Sequence, residues 1–207
     1  MINYLLEHGY ADAKVASALR KVPRELFVLN AKEAYVDIPL SIGHGQTISA
    51  PSMVATMSRV LDVKDGMKIL EVGTGSGWQA AILAELVGKK GGVYTIERLG
   101  ELVEFARRNI EKLRFKNVRI INADGSEGLV KEAPFDRIIV TAAAPEIPEP
   151  LVRQLADNGK LLVPVGSKYW QTLILVEKIN GKVERRDLME VLFVPLIGKH
   201  AYGEGLE

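Results

Sequence analysis

The sequence predicts an α/β fold: a doubly wound, mostly parallel sheet with helices at its N-terminal side and an antiparallel strand pair at its C-terminal side. Three observations carry this. Short apolar runs alternate with amphipathic stretches from Lys68 to Val165, which is how strands and crossover helices alternate around a parallel sheet. The first run, Lys68-Ile69-Leu70-Glu71-Val72, breaks at Gly73-Thr74-Gly75-Ser76-Gly77 into a glycine-rich turn before a helix, the nucleotide-binding corner of such a sheet. Near the end, Asn180-Gly181 separates two strand-like runs, a hairpin signal.

At 207 residues the chain is long enough for one domain with its own core. The expected division is N-terminal helices and an active-site loop over 1–62, a cofactor-binding core over 63–166, and C-terminal strands and tail over 167–207. Residues 1–37 read as helical. Asp12 is placed to cap a helix running to about Val22, with Val15, Ala18, Leu19 and Val22 on one face. Pro23 ends it and starts a short turn through Phe27.

Asp37 to Pro51 is rich in glycine, proline and small hydroxyls and reads as a loop. Within it Thr47 and Ser49 have an ordinary reading as turn and cap residues. Ser49 would cap the next helix, with Pro51 in its first turn, and that helix runs to about Leu61. A helix follows the glycine turn from Trp78 to about Leu86. Gly92 to Glu97 is the second strand, and its final acid lies twenty residues beyond Gly77, where ribose hydroxyls are met in nucleotide-binding sheets.

Leu99 to Leu113 is an amphipathic helix and Asn117 to Asn122 a third strand. Asp124-Gly125 then falls on the ligand side, as a turn or an adenine contact. Phe135 to Thr141 is a buried fourth strand running into Ala142-Ala143-Ala144, small residues expected to leave open space. Pro148 to Ala156 is a helix closed by Asn158-Gly159, Lys160 to Val165 the fifth strand, and Gln171 to Lys178 with Lys182 to Val194 the closing pair.

The glycine spacing discriminates among nucleotides. Dinucleotide sites favour a third glycine one place later, and no lysine follows to make a phosphate loop. Glu71-x-Gly73-x-Gly75-x-Gly77 resembles the first motif of class I S-adenosylmethionine (AdoMet) methyltransferases, a Rossmann-like group. The chemistry agrees, because AdoMet has no pyrophosphate but carries a cationic amine that an acid can meet. The stretches Gly45-Gln46-Thr47-Ile48-Ser49-Ala50-Pro51, Leu70 to Trp78 and Phe193-Val194-Pro195-Leu196-Ile197-Gly198 together resemble the protein-L-isoaspartate (D-aspartate) O-methyltransferase family. The resemblance covers nearly the whole chain, and the Gly-Gln-Thr-Ile-Ser segment is its most specific part.

That resemblance implies methyl transfer from AdoMet, leaving S-adenosylhomocysteine, to the free α-carboxylate of an L-isoaspartyl, and in some members a D-aspartyl, residue in damaged proteins and peptides. It implies cofactor contacts at Gln46, Glu71, Gly73, Thr74, Gly75, Ser76, Gly77, Glu97, Arg98, Asp124, Gly125 and Thr141. It implies substrate contacts at Gly45, Ile48, Ala143, Val194, Leu196 and Ile197, and active-site hydroxyls at Thr47 and Ser49. Ile197 stands where some members carry threonine. The family's C-terminal strand order departs from the usual methyltransferase arrangement.

Composition narrows the rivals. The 47% hydrophobic and 26% charged content is that of a soluble globule. A net charge of +1 and no basic tract speak against a nucleic-acid partner. The absence of cysteine excludes disulfides, thiolate metal sites and a cysteine nucleophile, and His8, His44 and His200 are too scattered to suggest a metal site. No membrane-length apolar run or signal peptide is seen, so a cytoplasmic monomer without membrane partners is expected. A methyltransferase for a small molecule or RNA, a nicotinamide-dependent dehydrogenase, and an AdoMet-retaining binding module share parts of the pattern. None of them explains residues 45–51 and 193–198.

Overall fold

The computed structural model describes residues 1–205. Helices α1 (Ile2–Glu7) and α2 (Ala13–Lys21) come first. Asp12 caps α2, its side chain accepting from the Val15 amide at 2.8 Å, and α2 buries Val15, Ala16, Ala18 and Leu19. A single tight turn, Arg24–Leu26, follows Pro23.

The expected loop before the glycine motif contains a small hairpin, β1 (Leu40–Gly43) paired with β2 (Gln46–Ile48). His44 and Gly45 form its tip at φ 54° and 68°. A two-residue hairpin turn with both central residues left-handed matches strand twist, and histidine tolerates that region better than most side chains. Helix α3 (Pro51–Leu61) begins at Pro51, but Ser49 does not cap it: the N-cap is Ala50, which offers no side-chain bond. The cap comes instead from Asp37, whose Oδ1 accepts from the Ser52 amide at 2.8 Å. The Ser49 side chain is thereby left out of helix capping.

Seven strands then form one sheet in the order β5-β4-β3-β6-β7-β8-β9. They are β3 (Lys68–Val72), β4 (Gly92–Glu97), β5 (Val118–Asn122), β6 (Phe135–Val140), β7 (Leu155–Gly166), β8 (Gln171–Ile179) and β9 (Lys182–Val191). The first five run parallel, and β8 is antiparallel to both of its neighbours. The chain steps outward from β3 through α4 (Trp78–Val87), β4 and α5 (Gly100–Lys112) to β5, then returns to place β6 on the other side of β3. Strand order reverses between β3 and β6, and the crevice beyond their C-terminal ends is where such sheets bind ligands.

Successive residues of the central strands serve opposite faces, as the two-residue period requires. Ile69, Ile139 and Leu162 join the α2–α4 side, whereas Leu70, Ile138 and Leu161 pack with Leu151 of α6 (Glu149–Arg153) on the other. The outer strand β9 is mostly exposed and carries Lys182, Glu184, Arg185, Arg186 and Asp187, charges that discourage edge-to-edge association.

Two boundaries differ from expectation. Helix α6 stops at Arg153, because Phe135 of β6 donates its amide to the Gln154 carbonyl at 2.9 Å and draws the chain into the sheet. Asn158-Gly159 therefore lies in an irregular stretch of β7 rather than closing a helix. Strand β9 ends at Val191, because Gln171 claims both main-chain polar groups of Phe193, accepting its N–H at 2.7 Å and donating to its carbonyl at 3.0 Å. Among the described residues no helix is long and apolar enough to cross a membrane.

Candidate active site

At the end of β3 the chain turns through Gly73, with φ +93°, and a Cβ there would lie 2.5 Å from the Thr141 hydroxyl oxygen. Only glycine suits both the left-handed backbone and that approach. The Thr141 hydroxyl, at the end of β6, donates to the Gly73 carbonyl at 2.6 Å and ties the loop across the switch point. Gly77, at φ +89°, comes so near α5 that a Cβ would stand 3.3 Å from that of Ala106. Its task is helix–loop packing.

The two acids of the motif region play different parts. Glu97, at the end of β4, is 8% exposed. Its Oε2 accepts from the Gly75 amide at 3.0 Å and its Oε1 from the Leu99 amide at 3.1 Å. Each oxygen keeps lone-pair capacity for a further donor, so the carboxylate is presented as a fixed double acceptor. Glu71 is wholly buried beneath the loop. Thr95 donates to its Oε2 at 2.5 Å, and the Thr95 hydroxyl also lies 2.6 Å from that of Thr74. Burial pushes the Glu71 carboxyl up to about 8; the Thr95 bond opposes this and the Glu97 charge adds to it. Burial thus favours the protonated form of Glu71, which braces the loop from below, and its Oε1 has no protein partner.

Opposite the loop stand two segments from distant parts of the chain. One is the second hairpin strand with Ser49, and the other is the stretch from Val194 to Ile197. The latter lies against Ala143: the Ala143 amide donates to the Val194 carbonyl at 2.8 Å, and the Leu196 amide donates to the Ala143 carbonyl at 2.7 Å. Ala142, Ala143 and Ala144 are buried; Ala143 and Ala144 admit neighbouring chain, whereas Ala142 lines the cleft as expected. Beyond Ile197, Asp124 clamps the chain. Its Oδ2 accepts from the Lys199 amide at 2.8 Å, and its Oδ1 from the Ser126 amide at 2.8 Å and hydroxyl at 2.7 Å. Burial raises the Asp124 carboxyl, but the bonds from Lys199 and Ser126, with the charge of His200, more than reverse this and leave it below its ordinary value.

These pieces enclose one cleft. Of the residues expected at the site, Gln46, Thr47, Ile48, Ser49, Gly73, Thr74, Gly75, Ser76, Glu97, Arg98, Gly125, Thr141, Val194, Leu196 and Ile197 line it. Five do not. Glu71 lies beneath the loop, Gly77 faces α5, Gly45 sits at the hairpin tip, and Ala143 is covered by the 194–196 stretch. Asp124 borders a neighbouring shallow depression with Arg98 and Lys199. The cleft also takes in Val54, Met57, Trp78, Gln79, Leu99 and Pro195, which sequence reasoning passed over. Val54 and Met57 read as core residues of α3. Trp78 and Gln79 open the helix after the glycine turn, and that position was a usable signal, since the first turn of such a helix faces the ligand.

A switch-point cleft floored by a glycine loop, with an acid at the next strand's end, is a nucleotide-binding site, and its Gly73-x-Gly75-x-Gly77 spacing is of the kind seen in class I methyltransferases. The family model for protein-L-isoaspartate(D-aspartate) O-methyltransferase matches residues 1–201. The chain belongs to that family. It is 51% identical to the protein-L-isoaspartate O-methyltransferase of Methanothermobacter thermautotrophicus, over 98% of this chain and 95% of that protein. It is 54% identical to that of Pyrococcus horikoshii, over 92% and 88% respectively.

A crystal structure of a beta-aspartate methyltransferase from Plasmodium falciparum in complex with S-adenosyl-L-homocysteine matches with a TM-score of 0.85 at 34% identity, over 95% of this chain and 96% of that one. A further solved protein-L-isoaspartate O-methyltransferase matches with a TM-score of 0.87 at 30% identity. The match takes in 97% of this chain and 65% of that longer one.

Proposed function

We propose that this protein transfers a methyl group from AdoMet to the free α-carboxylate of L-isoaspartyl residues in damaged proteins and peptides. The observation that carries the proposal is the frame opposite the glycine loop: residues 46–49 and 194–197 bring main chain and small hydroxyls to a cleft already shaped for a nucleoside.

The residues present suit the cofactor. Glu97 offers two positioned acceptors for the ribose hydroxyls, while Gly73 and Gly75 keep side chains off the loop. A buried acceptor without a protein partner, Gln79 Oε1 beside the cleft, suits a cationic amine at the amino-acid end. Gly125, Arg98 and Ile197 border the adenine end, with Asp124 acting through the chain it clamps. When bound, AdoMet supplies an electrophilic methyl group on a sulfonium.

The chain's own task is then modest in chemistry and strict in geometry. A peptide α-carboxyl has a pKa of about 3.5, so the acceptor arrives as an anion and needs no general base. The protein must strip water from the carboxylate and hold it in line. Ser49 and Thr47 donate to the acceptor carboxylate from the hairpin. Such a donor orients the carboxylate without clinging to the reacting oxygen, whose charge falls in the transition state. The ester product closes to a succinimide without the enzyme, and hydrolysis returns part of it to aspartate.

An isoaspartyl residue and an aspartyl residue carry the same charge, so discrimination has to come from reach. The frame grips main chain on either side and admits a carboxylate only at the α-carboxyl's distance. Matched isoaspartyl and aspartyl peptides incubated with labelled AdoMet test this. Labelling confined to the isoaspartyl members, across varied flanking sequences, is expected; equal labelling of both members would leave only a general carboxyl methyltransferase. The proposal includes a single domain acting as a cytoplasmic monomer, with sedimentation and cell fractionation as the checks.

A further inference from the structure

Arg24 lies far from the motifs in sequence and is wholly buried. Its Nη1 donates to the Ala34 carbonyl at 2.6 Å and approaches that of Val36 at 3.4 Å. Its Nη2 donates to the carbonyls of Ile38 at 3.2 Å and Ser49 at 2.9 Å. The guanidinium also lies over Trp78, 5.1 Å from the ring centroid, and Trp78 is a wall of the cleft. Burial lowers the Arg24 pKa to about 10, against the pull of Asp37, so the group stays charged at neutral pH.

A buried cation costs free energy unless the protein replaces its water. Here two separate segments do so for the two Nη atoms, the 34–38 loop and Ser49, while Nε is buried without a protein partner. The planar fork of arginine spans both, which a lysine ammonium does with difficulty. Because Asp37 rather than Ser49 caps α3, helix capping does not fix the serine; Arg24 holds its carbonyl.

We propose that Arg24 is a positioning residue for methyl transfer. By tying Ser49 to the 34–38 loop it sets where the Ser49 hydroxyl meets the acceptor carboxylate. The proposal rests on the functional reading above and adds a residue that touches neither cofactor nor substrate.

The test is a double-mutant cycle of Arg24→Met with Ser49→Ala, reading kcat and KM on an isoaspartyl peptide and, separately, S-adenosylhomocysteine affinity by calorimetry. Arg24→Met is expected to lower kcat by about tenfold to a hundredfold, the size of a displaced reactive group, with cofactor affinity unchanged. The double variant should be no slower than Ser49→Ala alone, since the two changes remove one function. Arg24→Lys should recover part of the rate.

Additive losses, or cofactor affinity falling in step with rate, would overturn the proposal and reduce Arg24 to a structural residue. If Arg24→Met fails to fold, Arg24→Lys in the same cycle decides by the same criterion. Should wild-type protein leave the peptide unmethylated, the functional reading falls and the proposal with it. Should it methylate while Ser49→Ala keeps full rate, the reading stands and the proposal falls.

Discussion

The glycine loop and the frame that faces it across the cleft are held by different kinds of contact. Gly73 to Gly77 follow β3 directly, and the Glu97 and Thr141 bonds that brace the loop, 22 and 68 residues away in sequence, come from the two strands paired with β3. The frame is assembled from stretches outside that strand trio. Asp37 caps α3 from 15 residues away, Gln171 clamps Phe193 from 22, and Asp124 holds Lys199 from 75. A cradle built this way tolerates little change at its own residues, whereas a frame built this way is exposed to changes that touch no ligand. The two halves should therefore fail separately, cofactor binding with the loop and methyl transfer with the frame.

The largest expected effect is in the loop. Gly73→Ala forces a side chain into a left-handed backbone and onto the Thr141 hydroxyl, and should abolish S-adenosylhomocysteine binding in calorimetry while the frame stays intact. Full affinity would show that the loop adjusts freely. Next comes Glu97→Ala. Hydrogen bonds to a charged group contribute about 1.5–3 kcal/mol each, so cofactor affinity should fall by a few kcal/mol. Unchanged affinity in a folded variant would remove Glu97 from the site.

A third effect is on the pH dependence of stability. The folded Glu71 carboxyl, at about 8, lies above its unfolded value of about 4.3. Between those values the folded chain holds one more proton than the unfolded chain, so this group's stabilisation declines as pH rises from about 5 through 8. Glu71→Gln should lack that decline, and thermal melts of both proteins across that range should diverge. Parallel curves would mean that Glu71 is ionised in the folded protein. The smallest effect sharpens the other side of the comparison. Asp37→Ala removes the α3 cap and should cost about 1 kcal/mol in a denaturant titration, and it should slow methyl transfer before it weakens cofactor binding.

The same division explains what the sequence disclosed. The core strands, α4 and the spacing from Gly77 to Glu97 were legible because periodicity and glycine placement are local. The role of the Gly45 to Ser49 segment was legible only through family resemblance, and its hairpin was hidden because His44-Gly45 is not among the Asn-Gly, Asp-Gly or Gly-Gly pairs that signal such a turn. Glu71 was assigned to the ligand by its place in the motif; only the packed structure shows Thr74 and Thr95 between it and the cleft. Asp124 sits at the expected strand end, yet the returning C-terminal chain takes its carboxylate. Arg24 gave no signal at all, since its partners are main-chain carbonyls that any sequence supplies.

The measurement that tests the division most directly pairs Glu97→Ala with Ser49→Ala. For each, S-adenosylhomocysteine affinity is titrated, and single-turnover methyl transfer to an isoaspartyl peptide is timed at saturating AdoMet. Glu97→Ala should lose affinity yet transfer at near the wild-type rate once saturated. Ser49→Ala should bind the cofactor normally and transfer about a hundredfold more slowly, the lower end of what one positioned donor contributes at such sites. If both variants lose affinity and rate together, the cradle and the frame are one cooperative unit and the separation drawn here is wrong.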